Sequence, residues 1–286
     1  MRTRVSVAAA VVLVSAAAVL AADVLADGGA TPGAIQGWDG TTARYVPVRY
    51  VALPGGGAGT VVTAIRRDGG RVERSRWVRG GWGVPLLTFG DGSSGGLSAD
   101  AGTLVLEDTD VSPTLKKVSR FLVLDPRTLM VGQRIRLRGD FAFDALSPRG
   151  QLLYLIQHLS AKVLTRYVVR VYDLSAHRLL PKIVADRREG ETVMHGYPWL
   201  RATAPDARWV YTLYEPGGGT RPFVHALDTR RAEAVCIDLP WKGARDLTTM
   251  QLVVRPRKHR VVLRNRDSGR RVVVIDTRTW RAAWVG

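Results

Sequence analysis

The sequence predicts an all-β fold, a β-propeller of five blades with four antiparallel strands each, and three observations carry that prediction. One order of parts recurs four times: a turn, an apolar strand, a polar loop, and a second apolar strand closed by an aspartate. The closing residues Asp125, Asp173, Asp228 and Asp276 stand about 50 residues apart, a period in the range of propellers and other repeat arrays. Short strand-like runs fill the space between copies, and no capped amphipathic helix interrupts them.

The chain opens with a targeting signal. Arg2 and Arg4 form a short positive region, an Ala/Val/Leu run with one serine follows over residues 5–22, and Val24, Leu25 and Ala26 resemble a small-residue cleavage site. Residues 1–26 are therefore a signal peptide or, because the run is barely long enough to span a bilayer, a signal anchor. Either way the protein is expected to be exported, secreted or held at the cell surface. No cysteine lies near the cleavage region, which excludes a lipoprotein anchor. Residues 27–43 are rich in Gly, Ala, Thr and Pro and read as a flexible linker, leaving residues 44–286 for the propeller domain.

A first, diverged copy of the repeat occupies residues 45–89. Two apolar-alternating runs flank Asp68, Gly69 and Gly70, a good hairpin signal, and residues 84–89 complete the expected strands. In the second copy Ser98 to Gly102 form the opening turn, Leu104, Val105 and Leu106 the strand, and Phe121 to Asp125 its partner. The third runs from the turn Ser147-Pro148-Arg149-Gly150 to Asp173, the fourth from Ala204-Pro205-Asp206-Ala207 to Asp228, and the fifth from the degenerate turn Pro256-Arg257-Lys258 to Asp276. After each closing aspartate comes one more strand, and before each opening turn another. Six or seven blades would not fit in the ~240 residues that remain.

The closing aspartates have a mechanical account. A carboxylate at a strand end accepts N–H bonds from two or three residues on and closes the hairpin. Asp125, Asp173, Asp228 and Asp276 are thus structural turn residues, since a catalytic carboxylate occurs once or twice and not once per blade. The run Val274-Ile275-Asp276-Thr277-Arg278-Thr279 and the turn Leu146-Ser147-Pro148-Arg149-Gly150 resemble the strand and turn signatures of the YVTN, TolB-like and WD40-like repeat propellers of bacteria. The resemblance implies a fold and carries no catalytic residue with it.

Composition bounds the chemistry. The chain is 46% hydrophobic and 23% charged, as folded proteins are, with a formal charge of +17. Lysine is scarce and arginine supplies most of the positive charge, spread over every repeat, which codon usage explains as readily as a polyanionic partner. Nucleic acid is not the expected partner, and a membrane is met only through the N-terminal segment if that segment stays uncleaved. The single Cys236 excludes an internal disulfide and reads as a small buried residue. The glycine runs 55–57, 90–96 and 217–219 lack the Lys-Ser or Lys-Thr and the following helix of a phosphate cradle, so they read as loops. The five histidines are scattered without metal-ligand spacing, so neither a metal nor a cofactor is expected.

What remains is positional. First strands line a propeller's channel, so Gly81-Trp82-Gly83, residues 140–144 and residues 195–201 would approach its mouth. Their mix of aromatic and charged groups nominates Trp82, Asp144, Tyr197 and Arg201 as binding residues for a glycan or peptide by stacking and charge-assisted hydrogen bonds, although the same aromatics with a buried Asp-Arg pair would also simply plug the channel. Asp140 and Asp144, four apart on one strand, would lie ~13 Å from each other, too far for a glycosidase pair. The charged loop 186–194 reads as solvated surface. The leading expectation is a non-catalytic binding module with an unknown protein or glycan ligand. The alternatives are a glycan hydrolase or lyase working at the channel mouth and an envelope protein that binds an anionic polymer.

Overall fold

The computed structural model describes residues 40–110, 114–163, 165–216, 221–241 and 246–286. The targeting signal, most of the linker and the glycines at 217–219 lie outside them. The described chain is all-β, with five antiparallel sheets of three to five strands following one another along the sequence.

The first sheet holds β1 (Val48–Gly55), β2 (Gly59–Arg66) and β3 (Val72–Arg79) in sequence order. The second holds β4 (Trp82–Gly83), β5 (Leu104–Asp108), β6 (Val118–Leu124) and β7 (Val131–Arg138). The third has β8 (Phe141–Leu146), β9 (Leu152–His158), β10 (Arg166–Asp173) and β11 (Arg178–Val184), with β12 (Val193–His195) beside β10. The fourth contains β13 (Tyr197–Thr203), β14 (Trp209–Glu215), β15 (Phe223–Asp228) and β16 (Glu233–Asp238). The fifth contains β17 (Met250–Arg255), β18 (Arg260–Asn265), β19 (Arg271–Asp276) and β20 (Arg281–Trp284).

Hydrophobic side chains meet between consecutive sheets. Leu104, Leu106, Leu122 and Leu124 of the second sheet pack against Tyr50, Val62 and Ala64 of the first. Val261, Leu263, Val273 and Ile275 of the fifth pack against Leu213, Val224 and Val235 of the fourth. Central strands with apolar residues on both faces, such as β5 and β9, are those buried on both sides. The first and fifth sheets each leave one face in solvent: Leu53 is 43% and Trp77 50% exposed on the former, and Arg260, Arg271 and Arg281 are exposed on the latter.

Three segments differ from expectation. Residues 84–89 are no strand of the first sheet. Pro85 removes one donor there, and the segment leaves to cross the molecule. The vacant edge beside β1 is met by Thr41, whose N–H and C=O bond Tyr50 at 2.8 Å each, although residues 27–43 read as linker. The charged stretch 186–194 is no plain solvated loop. Asp186 is 3% exposed, its Oδ2 accepts the Cys236 N–H at 2.6 Å, and its end forms β12. The carboxylate satisfies an edge donor that β16 would otherwise leave bare, so the stretch ties the third sheet to the fourth.

Candidate functional site

A cavity of about 210 Å3 opens beside the first strands of the third and fourth sheets. Phe143, Asp144 and Ala145 of β8, Arg201 and Thr203 of β13, Thr41 to Tyr45, and Gly95 to Leu97 form its walls. Its size suits a single sugar ring or one amino-acid side chain more than a drug-sized ligand, which takes ~300–1,000 Å3.

Asp144 and Arg201 anchor the site. Arg201 Nη1 donates to Asp144 Oδ1 at 2.9 Å and to Thr212 Oγ1 at 3.1 Å, while Nη2 donates to the Asp144 carbonyl at 2.7 Å. Both side chains are buried. The pair joins the first strands of two neighbouring sheets, and each charge needs the other, because a lone buried ion is costly. His225, on the strand next to Thr212, is also buried; burial lowers its pKa to about 4, so its ring is neutral at pH 7.

The glycine-bearing segment 84–96 closes one side. The N–H groups of Phe89 and Gly90 donate to the carbonyls of Pro198 and Trp199 on β13, at 3.2 and 2.8 Å. Asp91 Oδ2 accepts the Arg201 N–H at 3.0 Å, and Thr88 Oγ1 donates to Asp91 Oδ1. Gly90 is required by this crossing, since a Cβ there would lie 2.6 Å from the Trp199 carbonyl oxygen. The run thus brings backbone against backbone in the middle of the molecule.

Of the four nominated binding residues, Asp144 and Arg201 come together and line the cavity. Trp82 does not line it: it is 6% exposed, packed between the first two sheets, with its indole N–H donating to the Arg79 carbonyl at 2.9 Å and Arg134 5.9 Å from its ring. Tyr197 stands at the start of β13 opposite Glu215, 37% exposed and away from the cavity lining. Arg44, which the sequence did not single out, and Tyr45, which it reads as the start of a strand, stand at the cavity. Tyr45 is 78% exposed, and the Arg44 guanidinium lies 5.3 Å from its ring centre. The signal available was an Arg-Tyr pair placed just ahead of an alternating strand.

The closing aspartates occupy turns. Asp125 Oδ1 accepts the Arg127 N–H at 2.8 Å, Asp173 those of Ser175 and Ala176 at 2.9 Å each, and Asp228 that of Arg230 at 3.0 Å while Oδ2 takes Arg208 Nη2 at 2.7 Å. Asp276 accepts from Thr279 and Arg278, and those bonds hold its carboxyl below the usual range. A second polar cluster lies between the second and third sheets. Asp108 pairs with Lys116 at 2.6 Å, Asp140 accepts the Lys116 N–H at 3.3 Å and lies 3.6 Å from His158 Nδ1. Beside it Glu107 takes the Phe143 N–H at 2.8 Å on Oε2. Burial pushes its carboxyl up to about 8, against that bond and the Lys116 charge. Cys236, paired across β15 and β16 with His225, has its thiol pushed up to about 12 by burial. A neutral ring facing a protonated thiol is not an activated nucleophile.

No protein-family model matches the sequence, and no curated protein matches it. The chain is similar to several solved structures at low identity. The Dos1 propeller has 12% identity and a TM-score of 0.45 over 81% of this chain and 55% of that one. TolB from Acinetobacter baumannii has 11% identity and a TM-score of 0.35 over 80% of this chain and 61% of that one. The dihydro-heme d1 dehydrogenase NirN, in complex with DHE, has 13% identity and a TM-score of 0.39 over 85% of this chain. The chain spans 54% of NirN, about half its length.

Proposed function

We propose that the chain is an exported, non-catalytic binding module: five propeller blades holding a small glycan or peptide ligand in the central cavity. The observation that carries this reading is the cavity itself. Two first strands, β8 and β13, and the crossing segment wall it, the Asp144 and Arg201 pair holds those two strands together, and the exposed Tyr45 ring stands at it. An exposed ring offers a stacking surface to a sugar or a prolyl side chain, and the threonines and backbone groups offer hydrogen bonds. The two carboxylates nominated for a hydrolase are held apart in other contacts: Asp144 by Arg201, and Asp140 by the Lys116 N–H. The N-terminal charge and apolar run support export.

Calorimetric titration of the chain with neutral oligosaccharides and short peptides tests the cavity. Saturable binding that Tyr45→Ala weakens about tenfold is expected, which corresponds to about 1.4 kcal/mol. Binding indifferent to Tyr45→Ala would move the ligand elsewhere. Export is tested separately, by fusing residues 1–43 to a reporter that is active only outside the cytoplasm.

A further inference from the structure

The solvent face of the fifth sheet carries a second, larger concavity of about 660 Å3. By register, Arg260, Asp276 and Arg281 lie side by side at one end, Val274 and Ala283 form the floor one pair further along, and Arg271 stands at the other end with Arg270. The four arginines and Ala283 are exposed. Asp276 is the one carboxylate among the lining residues, and its Oδ1 is engaged by the Thr279 and Arg278 N–H groups. Residues 250–286 hold ten Lys and Arg against two Asp, a net +8 of the chain's +17.

We propose that this face docks an acidic polypeptide segment in extended conformation, with apolar residues between its acidic groups. The reading goes beyond the cavity and does not depend on it. Charge selects the partner's sign, since exposed guanidinium forks bind carboxylates in bidentate pairs. Spacing and floor select its kind. The two arginine groups are five residues apart along β19, one of those five the extra residue of a bulge, so about 13–16 Å, which matches acidic side chains four or five residues apart on an extended chain with apolar ones between them. A nucleic acid or an acidic glycan would carry charge across the middle as well, where Val274 and Ala283 offer nothing to pair with it. The lining also contains no aromatic ring on which a base or a sugar could stack. The first sheet of the same chain is a poor occupant. Its open face presents Arg49 and Arg79 beside Trp77, so closing one on the other would oppose like charges.

Fluorescence anisotropy tests the idea with three labelled probes: a ten-residue peptide carrying two glutamate pairs separated by four valine or alanine residues, a deoxythymidine decamer, and a heparin oligosaccharide. The peptide is expected to bind most tightly, to lose about tenfold affinity between 50 and 300 mM salt, and to lose at least tenfold in Arg271→Glu with Arg281→Glu. Both positions are exposed, so the variant keeps its fold, which circular dichroism checks. Arg136→Glu with Arg178→Glu, exposed positions on the second and third sheets, changes net charge equally and is expected to cost less than threefold. Equal losses in both double variants would reduce the effect to net charge and overturn the site. Tighter binding of thymidine or heparin than of the peptide overturns the proposed partner, and no binding of any probe overturns both.

Discussion

Glu107 is a carboxyl group that the fold keeps protonated. Its folded pKa of about 8 lies above the ordinary 4.5, so between those values the native state holds a proton that the unfolded chain has released. Stability from this group is complete below pH 4.5 and is lost as pH rises towards 8. His225 has the opposite sign. Its pKa is lowered from 6.5 to about 4, so the unfolded chain takes the proton first and stability falls as pH drops through that window. The two oppose each other between about pH 4.5 and 6.5, and above that Glu107 acts alone, with a slope of up to about 1.4 kcal/mol per pH unit. Glu107→Gln keeps an oxygen for the Phe143 N–H and removes the titration. Urea unfolding from pH 6.5 to 8 should therefore decline less steeply in the variant than in the parent, and equal slopes would refute the assignment. Arg201→Ala belongs to the same scale, because it leaves Asp144 buried without its counter-charge and should cost about 3–5 kcal/mol. The pairing of Asp144 with Arg201 was legible, since the sequence sets both at the channel mouth, but the partner of Glu107 was not. Glu107 ends the apolar run Leu104 to Leu106, and no local pattern says that the Phe143 N–H, 36 residues away, will meet it.

The elements follow the sequence closely because their signals are local. Each turn after a first strand places a residue in the left-handed region: Ala101, Gly150, Ala207 and His259, with φ between 50° and 65°. Each turn after a third strand does the same four residues past the closing aspartate, at Leu129, His177, Ala232 and Trp280, with φ between 53° and 58°. Repeated turn geometry is what makes the repeat detectable even where its residues diverge. Alanine is strained there by about 1 kcal/mol, and part of any gain from glycine is lost to the freer unfolded chain. Ala207→Gly and Ala232→Gly should each stabilise by about 0.5 kcal/mol, but not additively, because Thr229 Oγ1 of one turn donates to the Ala207 carbonyl of the other and couples them. Chemical denaturation of the double variant checks this, with a net loss counting against the turn account. The stretch 186–194 shows where local signals end. Its charges read as solvated because the group that needs Asp186, the Cys236 N–H, lies 50 residues on. Asp186→Ala should cost about 1–3 kcal/mol through that orphaned donor and make the stretch the first site of proteolytic cutting.

On the scale of the molecule, position decides which charges find partners. Arginines occur in every repeat, so the sequence suggests an even distribution. Counted by sheet, residues 41–79 hold eight basic and two acidic side chains and residues 250–286 ten and two, whereas residues 80–249 hold 22 and 18. The two outer sheets thus carry +14 of the chain's +17. The interior sheets are flanked on both sides, and buried charge there must be paired, as in Asp108 with Lys116, Asp144 with Arg201 and Asp228 with Arg208. The outer faces meet water, where unpaired arginine costs little. Self-repulsion at the two ends then makes stability depend on ionic strength, with a Debye length falling from ~30 Å at 0.01 M to ~10 Å at 0.1 M. Raising salt across that range should increase the melting temperature by a few degrees, about what 1–2 kcal/mol does in a chain of this size. Hydrogen exchange locates the effect: protection should rise in β1 to β3 and β17 to β20 while the second to fourth sheets change little. A uniform rise over all five sheets would mean that salt acts through general burial and not through the charge of the outer faces.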